Sequence, residues 1–239
     1  MKNPSHRMNP NMHKQNKIYV YFRKTLLIHI IGVTLLSLLM NTVRAEPSKQ
    51  ILAYSCAACH GINGVSRGPA TPNIAGLTAN YIIAAMLSYK YATDLDRAQA
   101  IVDKHDDLED VVIQARPATM MSQVAQGYSL AQIKAIADFY SRQPIVRIVQ
   151  DADTDRAKIG KKLHKKYCDK CHEDDGRSTE DDVGLLAGQW AAFLRDTLQD
   201  FNNEDREMSK KMAKKMKAMA KKHGNESMED LIQFYISQQ

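Results

Sequence analysis

The pentapeptides Cys56-Ala57-Ala58-Cys59-His60 and Cys168-Asp169-Lys170-Cys171-His172 contain all four cysteines of this 239-residue chain. In a Cys-x-x-Cys-His motif, two thiols can add to the vinyl groups of one haem, and the adjoining histidine becomes an axial ligand of the iron. The chain is therefore predicted to bind two haem c groups covalently. The predicted attachment residues are Cys56, Cys59, Cys168 and Cys171, and the predicted iron ligands are His60 and His172.

Two other uses of paired cysteines fit this pattern less well. A structural zinc site needs four ligands in a tetrahedron, and a histidine fused to the second cysteine is poorly placed for that geometry. A thioredoxin-like redox pair carries no such histidine and is not expected twice in one chain. Covalent haem at both motifs is the interpretation that uses every cysteine and both adjoining histidines.

The N-terminal 45 residues have the pattern of an export signal. They contain seven basic residues and no acidic residue, and an apolar run of 16 residues extends from Thr25 to Met40. This run is shorter than the roughly 20 residues that a membrane-spanning helix needs, and it leads to small residues at Val43 and Ala45. We expect residues 1–45 to be a signal peptide cleaved near Ala45, which makes the mature protein periplasmic. An uncleaved membrane anchor is the alternative.

The net charge of the chain comes largely from this segment. The whole sequence has 33 basic and 27 acidic residues, a net charge of +6. Without the seven basic residues of the signal, 26 basic residues stand against 27 acidic ones. No nucleic-acid partner is predicted, because the mature chain is not basic. The sequence also lacks a Walker loop, a dinucleotide-binding glycine motif and a Ser-His-Asp pattern, so we expect this chain not to be catalytic alone.

An internal repeat divides the rest of the chain. The two cysteine motifs are 112 residues apart, and at the same offset Ile74-Ala75-Gly76-Leu77 matches Leu186-Ala187-Gly188-Gln189. The closing segments Phe139–Gln143 and Phe234–Gln238 also match, at an offset of 95 residues. The repeat predicts a duplicated module, with one domain at 46–147 and a second at 151–239. The shorter second offset places an insert within 91–117 of the first module, a polar stretch that is expected to form a solvated helical elaboration, with a role in binding a partner as the alternative.

Apolar spacing predicts helices and loops only, so the fold class is all-α. Ser129 and Gln132 fit a capping box that opens the final helix of the first module, in which Ile133, Ile136 and Tyr140 follow helical spacing. Another helix is expected to open near Thr78. No sustained alternation of apolar and polar residues suggests a sheet.

A haem iron that carries electrons needs a sixth ligand, and a methionine thioether is the usual one. The first module offers Met120 and Met121 in an irregular segment before its last helix. The second module offers four methionines at helical spacing, most of which are expected to be core residues. These four are Met208, Met212, Met216 and Met219.

Three segments of the chain resemble the two-haem cytochrome subunit of flavocytochrome c sulfide dehydrogenases. They are Tyr167-Cys168-Asp169-Lys170-Cys171-His172, Leu186-Ala187-Gly188-Gln189-Trp190 and Met121-Ser122-Gln123-Val124-Ala125-Gln126-Gly127-Tyr128-Ser129. The resemblance spans most of 46–239. It implies two tandem cytochrome c domains, each with one covalently bound haem. It also implies a heterodimer with a sulfide-oxidising subunit, so that FAD is bound only on the partner chain, and a soluble or membrane redox acceptor.

The resemblance also implies the sixth ligands. It pairs His60 with Met121, which stands eight residues before Ser129, and it pairs His172 with Met208. Met212 also matches a methionine of that family. A free-standing two-haem carrier that passes electrons toward a terminal oxidase is the second hypothesis. A haem enzyme such as a peroxidase is the third, and it would need an open or displaceable sixth site.

Overall fold

A computed structural model describes residue 23 and residues 47–116 and 118–238 of the chain. Within these residues the secondary structure is helical, without strands, so the all-α prediction is confirmed. The predicted signal peptide lies outside the described residues, apart from Arg23. The helices are α1 Lys49–Tyr54, α2 Ala57–His60, α3 Ala79–Lys90, α4 Leu95–Val102, α5 Thr119–Gln126, α6 Leu130–Ser141, α7 Thr154–Tyr167, α8 Glu173–Gly176, α9 Ala191–Asn202, α10 Lys210–His223 and α11 Glu226–Ile236.

Across the described part of the chain, none of the helices has the length and apolar character needed to cross a membrane.

The first core is built by α1, α3, α5 and α6. Helix α3 begins where the Thr78 side chain accepts a hydrogen bond from the Tyr81 N–H, and such a cap satisfies an N–H group that the first helical turn leaves unpaired. Helix α6 begins with the predicted capping box, in which Ser129 and Gln132 bond each other's backbone N–H groups. The apolar positions predicted for α6 are buried, and the hydroxyl of Tyr140 donates to the carbonyl oxygen of Ala53 in α1 at 2.8 Å.

The second core is built around α7, α11 and the end of α10. Helix α7 is capped by Asp153, whose carboxylate accepts from two backbone N–H groups of its first turn. Gly160 of α7 faces the backbone of α11, where a Cβ atom would stand 1.9 Å from the carbonyl oxygen of Asp230. The absence of a side chain at Gly160 therefore allows the two helices to pack closely. Phe234 of α11 and Met219 of α10 fill the space beside them.

The repeat read from the sequence is also a repeat of hydrogen bonds. The Gly64 carbonyl accepts from the N–H groups of Ile74 and Ala75 at 2.8 and 3.2 Å, and the Gly176 carbonyl accepts from Leu186 and Ala187 at 3.2 and 2.9 Å. Both glycines have φ +82°, a left-handed conformation that glycine adopts without strain. The loop after each motif is thus folded back by the same bonds.

Each of these loops is then tied to the last helix of its own module. The N–H of Gly76 donates to the Tyr140 carbonyl at 3.0 Å, and the N–H of Gly188 donates to the Tyr235 carbonyl at 2.9 Å. A Cβ atom on either Gly64 or Gly176 would stand 2.9 Å from a ring carbon of the corresponding tyrosine. The last helix of each module therefore fixes the position of the loop that follows its motif.

The insert of the first module is only partly solvated, which corrects the expectation for residues 91–117. It forms α4 and a 3₁₀ turn, Asp106–Leu108. Ala98, Val102, Leu108 and Val111 are each at most 3% exposed and belong to the first hydrophobic core. The acidic side chains of the insert lie on the outer face, and the apolar residues between them extend the core.

Candidate haem-binding sites

The first motif forms one helical turn. Cys56 is the residue before α2 and is half-buried, whereas Cys59, three residues on, is exposed. Residues three apart lie on the same face of a helix, so both thiols are presented together. Neither is in a disulfide, and burial raises the pKa of the Cys56 thiol. The turn from Cys56 through α2 thus presents two thiols outside any disulfide and ends with His60.

The ring of His60 is buried and oriented by a backbone carbonyl. Its Nδ1 atom lies 2.9 Å from the carbonyl oxygen of Pro72. With Nδ1–H donating to Pro72, the other ring nitrogen, Nε2, is the one left to bind a metal. Burial lowers the pKa of His60, which favours the neutral imidazole that ligates metals.

The second motif follows the long helix α7. Cys168 is half-buried at the end of this helix, Cys171 is exposed, and neither is in a disulfide. Burial raises the pKa of Cys168 to about 11. Burial also lowers the pKa of His172 to about 4, so its imidazole is neutral at pH 7. The second motif therefore offers the same donor set as the first.

The two histidines differ in their surroundings. The Nδ1 atom of His172 is buried without a hydrogen-bond partner among the described residues, whereas Nδ1 of His60 has the Pro72 carbonyl. A buried polar atom without a partner is costly and is uncommon in a completed site. Two thiols outside any disulfide beside a neutral histidine fit a covalently bound haem at each motif. The Nδ1 atom of His172 lacks the carbonyl partner that orients His60, and its Nε2 is the nitrogen that would bind iron.

His164 is a nearby histidine that has a local role. It is 1% exposed, and its Nδ1 lies 3.0 Å from the hydroxyl of Tyr235. Its ring also packs against that of Phe234, with centroids 5.3 Å apart. The ring of His164 thus joins α7 to α11 just before the second cysteine motif.

The methionines proposed as sixth ligands stand at or near helix starts. Met121 is in the first turn of α5, half-buried against the first core, and Met120 beside it is 69% exposed. Met208 is half-buried and immediately precedes Ser209, the cap of α10. Met212, in the first turn of α10, is half-buried as well. The assignment of Met208, and not Met212, as the ligand of the second haem stays a prediction.

The remaining methionines of α10 are core residues. Met219 is fully buried, and Met216 is partly buried against the same cluster. The prediction that most of the methionine stripe serves packing is confirmed for these two.

Sequence reasoning found the Ala-Gly-Gln segment but missed its role between the modules. The Gln189 side chain accepts from the backbone N–H of Asn73 at 2.8 Å and donates to its carbonyl at 3.1 Å. Trp190 donates its indole N–H to the Ser66 hydroxyl at 2.8 Å, and its ring lies against Gly68. Asn73 directly follows Pro72, the acceptor of His60, so module two contacts the loop that orients the first histidine.

Within the described ranges, no group of three or more His, Cys, Asp or Glu side chains is placed to hold a metal ion.

The cytochrome c family matches residues 45–141, which include the first motif and the predicted ligand Met121. A curated protein similar to part of this chain is cytochrome c-554(548) of Halomonas halodenitrificans, 29% identical over 89 residues, which are 37% of this chain and 84% of the relative. Another is the cytochrome subunit of sulfide dehydrogenase of Chlorobaculum tepidum, 28% identical over 95 residues, 40% of this chain and 66% of the relative.

A solved structure extends the likeness beyond residues 45–141. Reduced recombinant cytochrome c4 from Pseudomonas stutzeri superposes with a TM-score of 0.60 and 25% identity, covering 80% of this chain and 97% of the other. The chain therefore has the fold of two tandem cytochrome c domains, as the repeat predicted. A cytochrome c domain implies covalently bound haem c, and Cys56/Cys59 and Cys168/Cys171 fit two such sites.

Proposed function

We propose that this chain is the electron-accepting, two-haem cytochrome subunit of a sulfide-oxidising flavocytochrome. The observation that carries its electron-transfer role is the repetition of one arrangement. In both modules a Cys-x-x-Cys-His motif is followed by a glycine carbonyl that accepts two backbone hydrogen bonds, and by a second glycine tied to the last helix. Such a rigid frame suits electron transfer, because a site that keeps its ligands in both oxidation states reorganises little.

The residues of each module have separate roles in this proposal. When bound, haem supplies one-electron oxidation and reduction at its iron. Cys56 and Cys59 hold the first haem and His60 ligates it, with the ring held by the Pro72 carbonyl. Met121 would be the sixth ligand of the first iron, and its soft thioether would favour Fe(II) and raise the potential. Cys168 and Cys171 hold the second haem, which His172 and Met208 ligate.

The cellular location and the domain limits are part of the same proposal. Residues 1–45 direct export and are removed near Ala45, and the mature protein is periplasmic. The mature chain comprises a first cytochrome c domain at 46–147 and a second at 151–239. The described contacts agree with these limits, because α1 pairs with α6 and α7 pairs with α11, each within one proposed domain.

The flavoprotein partner is supported by the relative from Chlorobaculum tepidum, a cytochrome subunit of sulfide dehydrogenase, and by the segments that resemble such subunits. In this assembly the partner carries FAD and oxidises sulfide, and the present chain accepts the electrons. A soluble or membrane acceptor then removes them.

The surface of the second module suits an acidic redox acceptor. Helix α10 exposes seven lysines, and none of them forms an ion pair among the described residues. Lys165 and Lys166, near the end of α7, are also exposed and form no ion pair among the described residues. Unpaired positive charge around a redox site steers an acidic partner toward it. The lysines of α10 are Lys210, Lys211, Lys214, Lys215, Lys217, Lys221 and Lys222.

A free-standing carrier is the second candidate. It is favoured by the likeness to cytochrome c4, which covers both modules. Such a carrier would pass electrons toward a terminal oxidase without a tightly bound flavoprotein.

The flavin-to-haem ratio of the native protein distinguishes the two. The protein would be isolated gently from its own periplasm through a C-terminal tag. About one flavin per two haems, with both haems reduced when sulfide is added, supports the sulfide dehydrogenase subunit. Two haems without flavin or a co-purifying chain overturn it in favour of the free carrier, and absence of covalent haem overturns the electron-transfer role itself.

A further inference from the structure

One peptide group of module one has a hydrogen bond at each end. It is the group that joins Pro72 to Asn73. Its carbonyl oxygen, on Pro72, lies 2.9 Å from Nδ1 of His60. Its N–H, on Asn73, donates to the side-chain oxygen of Gln189 at 2.8 Å. Two hydrogen bonds therefore connect Gln189 of module two, through a single amide, to the predicted iron ligand of module one.

Gln189 is held firmly in this position. Its Nε2 donates to the Asn73 carbonyl at 3.1 Å, so both ends of the side-chain amide are engaged. Its Oε1 also accepts from the backbone N–H of Trp190 at 3.3 Å. Gln189 and Asn73 are at most 2% exposed. Because they are shielded from water, hydrogen bonds between them are electrostatically stronger than they would be in solvent.

Other bonds within module one hold the same loop. The side-chain oxygen of Asn73 accepts from the backbone N–H of Ser66 at 2.8 Å, and the Ser66 hydroxyl donates to the Thr71 carbonyl at 2.6 Å. These bonds do not involve Gln189. A substitution of Gln189 therefore leaves the loop its own hydrogen bonds, and the effect on His60 can be measured in a folded protein.

Module two has no equivalent of this connection among the described residues. At the repeat offset of 112 residues, the counterpart of Asn73 is Leu185. The counterpart of Gln189 is Leu77, which has no atom that can accept from an N–H group. Both leucines lie in the first hydrophobic core. Nδ1 of His172 has no hydrogen-bond partner in this part of the chain, so the second histidine is an internal comparison for the first.

The connection acts on the basicity of the iron ligand. Hydrogen bonds at the two ends of one amide polarise it and strengthen each other. The acceptor that Gln189 places on the Asn73 N–H therefore makes the Pro72 carbonyl a stronger acceptor for Nδ1–H of His60. A stronger hydrogen bond from Nδ1–H makes the other ring nitrogen, Nε2, a more basic ligand. A more basic ligand stabilises Fe(III) relative to Fe(II).

We infer that Gln189 of module two is a positioning residue for His60 and lowers the potential of the first haem. The inference rests on the proposed function, since it needs haem that His60 ligates. Gln189 acts through the Pro72–Asn73 peptide, so the contact between the modules sets a property of the first iron alone. Because electrons move toward the higher potential, a lowered potential at the first haem favours transfer from the first haem to the second.

Replacement of Gln189 by leucine in the holoprotein tests this role, because it gives module two the residue type that module one has at the equivalent position. The two midpoint potentials are resolved by a redox titration followed by NMR, in which each haem methyl signal reports its own iron. Signals of the first haem are assigned with Cys168→Ser/Cys171→Ser, which is expected to keep that haem only. We expect Gln189→Leu to increase the Fe(II)/Fe(III) ratio of the first haem at a fixed potential about two- to tenfold, and to change that of the second much less.

A second measurement follows the hydrogen bond itself. The Nδ1–H signal of His60, observed in the reduced protein with isotope-labelled histidine, should move upfield in Gln189→Leu because this bond is weakened. Thr179→Val is the matched control. The Thr179 hydroxyl also donates from module two to a backbone carbonyl of module one, that of Gly76 at 3.1 Å, but not to the peptide that His60 contacts. Thr179→Val should change neither the first potential nor the Nδ1–H signal. Gln189→Glu keeps an oxygen acceptor and should leave the first potential at or below its wild-type value.

An unchanged first potential in Gln189→Leu that holds two haems would overturn the inference and leave the proposed function intact. Equal shifts of both haems, or an equal shift in Thr179→Val, would also overturn it, since they would report a general loosening of the contact between the modules. Gln189→Asn, whose amide is one methylene further from Asn73, decides the matter if leucine prevents folding. A smaller rise of the first potential is expected there, and no rise would overturn the inference. Absence of haem from the wild-type protein would overturn the proposed function instead.

Discussion

Gln189 bonds both backbone groups of Asn73, a residue 116 positions earlier in the chain, and both residues are at most 2% exposed. The corresponding position of the first module is Leu77. Gln189 therefore serves the contact between the two modules and is not part of the hydrogen-bond pattern that both modules share.

Replacing Gln189 by leucine should destabilise the protein. Leucine has a similar volume, so the effect reports the lost hydrogen bonds. The N–H and carbonyl of Asn73 would remain buried without partners, at a cost of about 2–4 kcal/mol in the free energy of unfolding. Denaturant unfolding of the holoprotein measures the change in the free energy of unfolding. Gln99→Leu is the control, because Gln99 is exposed and its side chain bonds only Asp103 among the described residues, and it should change stability by less than about 0.5 kcal/mol. Equal effects of the two substitutions would show that the Asn73 contact contributes little.

Alanine at Gly64 or Gly176 should be more harmful than alanine at Gly224. All three have φ between +76° and +82°, so each substitution incurs backbone strain of order 1–3 kcal/mol. At Gly64 and Gly176 the added Cβ would meet a tyrosine ring carbon at 2.9 Å, whereas no atom of the described residues lies within 4 Å of a Cβ at Gly224. We expect the first two variants to lose a further amount of about 1–3 kcal/mol, measured by thermal or denaturant unfolding. A loss at Gly224 as large as at Gly64 would mean that the contact with the tyrosine is unimportant.

Replacing both thiols of one motif by serine should remove one haem and leave the other. The double variant Cys56→Ser/Cys59→Ser is expected to halve the covalent haem per chain, and Cys168→Ser/Cys171→Ser is expected to do the same, because each motif attaches its own haem. Intact mass and alkaline haemochrome absorbance measure the loss. The control is Ser55→Ala, which removes a hydroxyl 3.8 Å from the Cys56 sulfur and should retain both haems. A double variant that kept two haems would contradict attachment through these cysteines.

The sequence predicted the local features of this fold and missed those that join distant residues. The cysteine motifs and the Ser129 cap depend on residues close together in the chain, and the 112-residue repeat is visible because similar short segments recur. The structure repeats the backbone hydrogen bonds of Gly64 at Gly176, at the same offset. The bonds of Gln189 to Asn73, and of Arg206 to Tyr81, link residues more than 100 positions apart. Such pairs leave no periodic signal, because their partners are chosen by the packing of two modules.

The insert was misjudged for a different reason. Its acidic residues dominate the composition, but Ala98 and Val102 are four residues apart on one face of α4 and are buried. An interval of four positions is the spacing of a buried helical face, and it was detectable in the sequence. The sixth ligands remain predictions from resemblance, since Met208 and Met212 are both half-buried at the start of α10.

Leucine at single methionines should identify the sixth ligands. Leucine fills a similar volume but offers no sulfur to iron, so Met121→Leu and Met208→Leu should each abolish the methionine-to-iron charge-transfer band of one ferric haem. Met120→Leu is the control in the first module, because Met120 is 69% exposed, and it should leave the spectrum unchanged. In the second module, loss of the band in Met212→Leu with retention in Met208→Leu would assign the ligand to Met212 and contradict the proposal.

Charge reversal at Lys165 and Lys166 should slow electron transfer to an acidic acceptor. Both lysines are exposed and form no ion pair among the described residues, so their charge acts fully on an approaching partner. At low ionic strength we expect the double glutamate variant to react about tenfold or more slowly than wild type, and the difference to shrink with added salt as screening shortens the range of the field. Lys158→Glu is the control, because Lys158 lies on the same helix and is already paired with Asp155 at 2.9 Å. A rate that is unchanged in the double variant, or that does not depend on salt in the wild type, would mean that the acceptor approaches another face of the molecule.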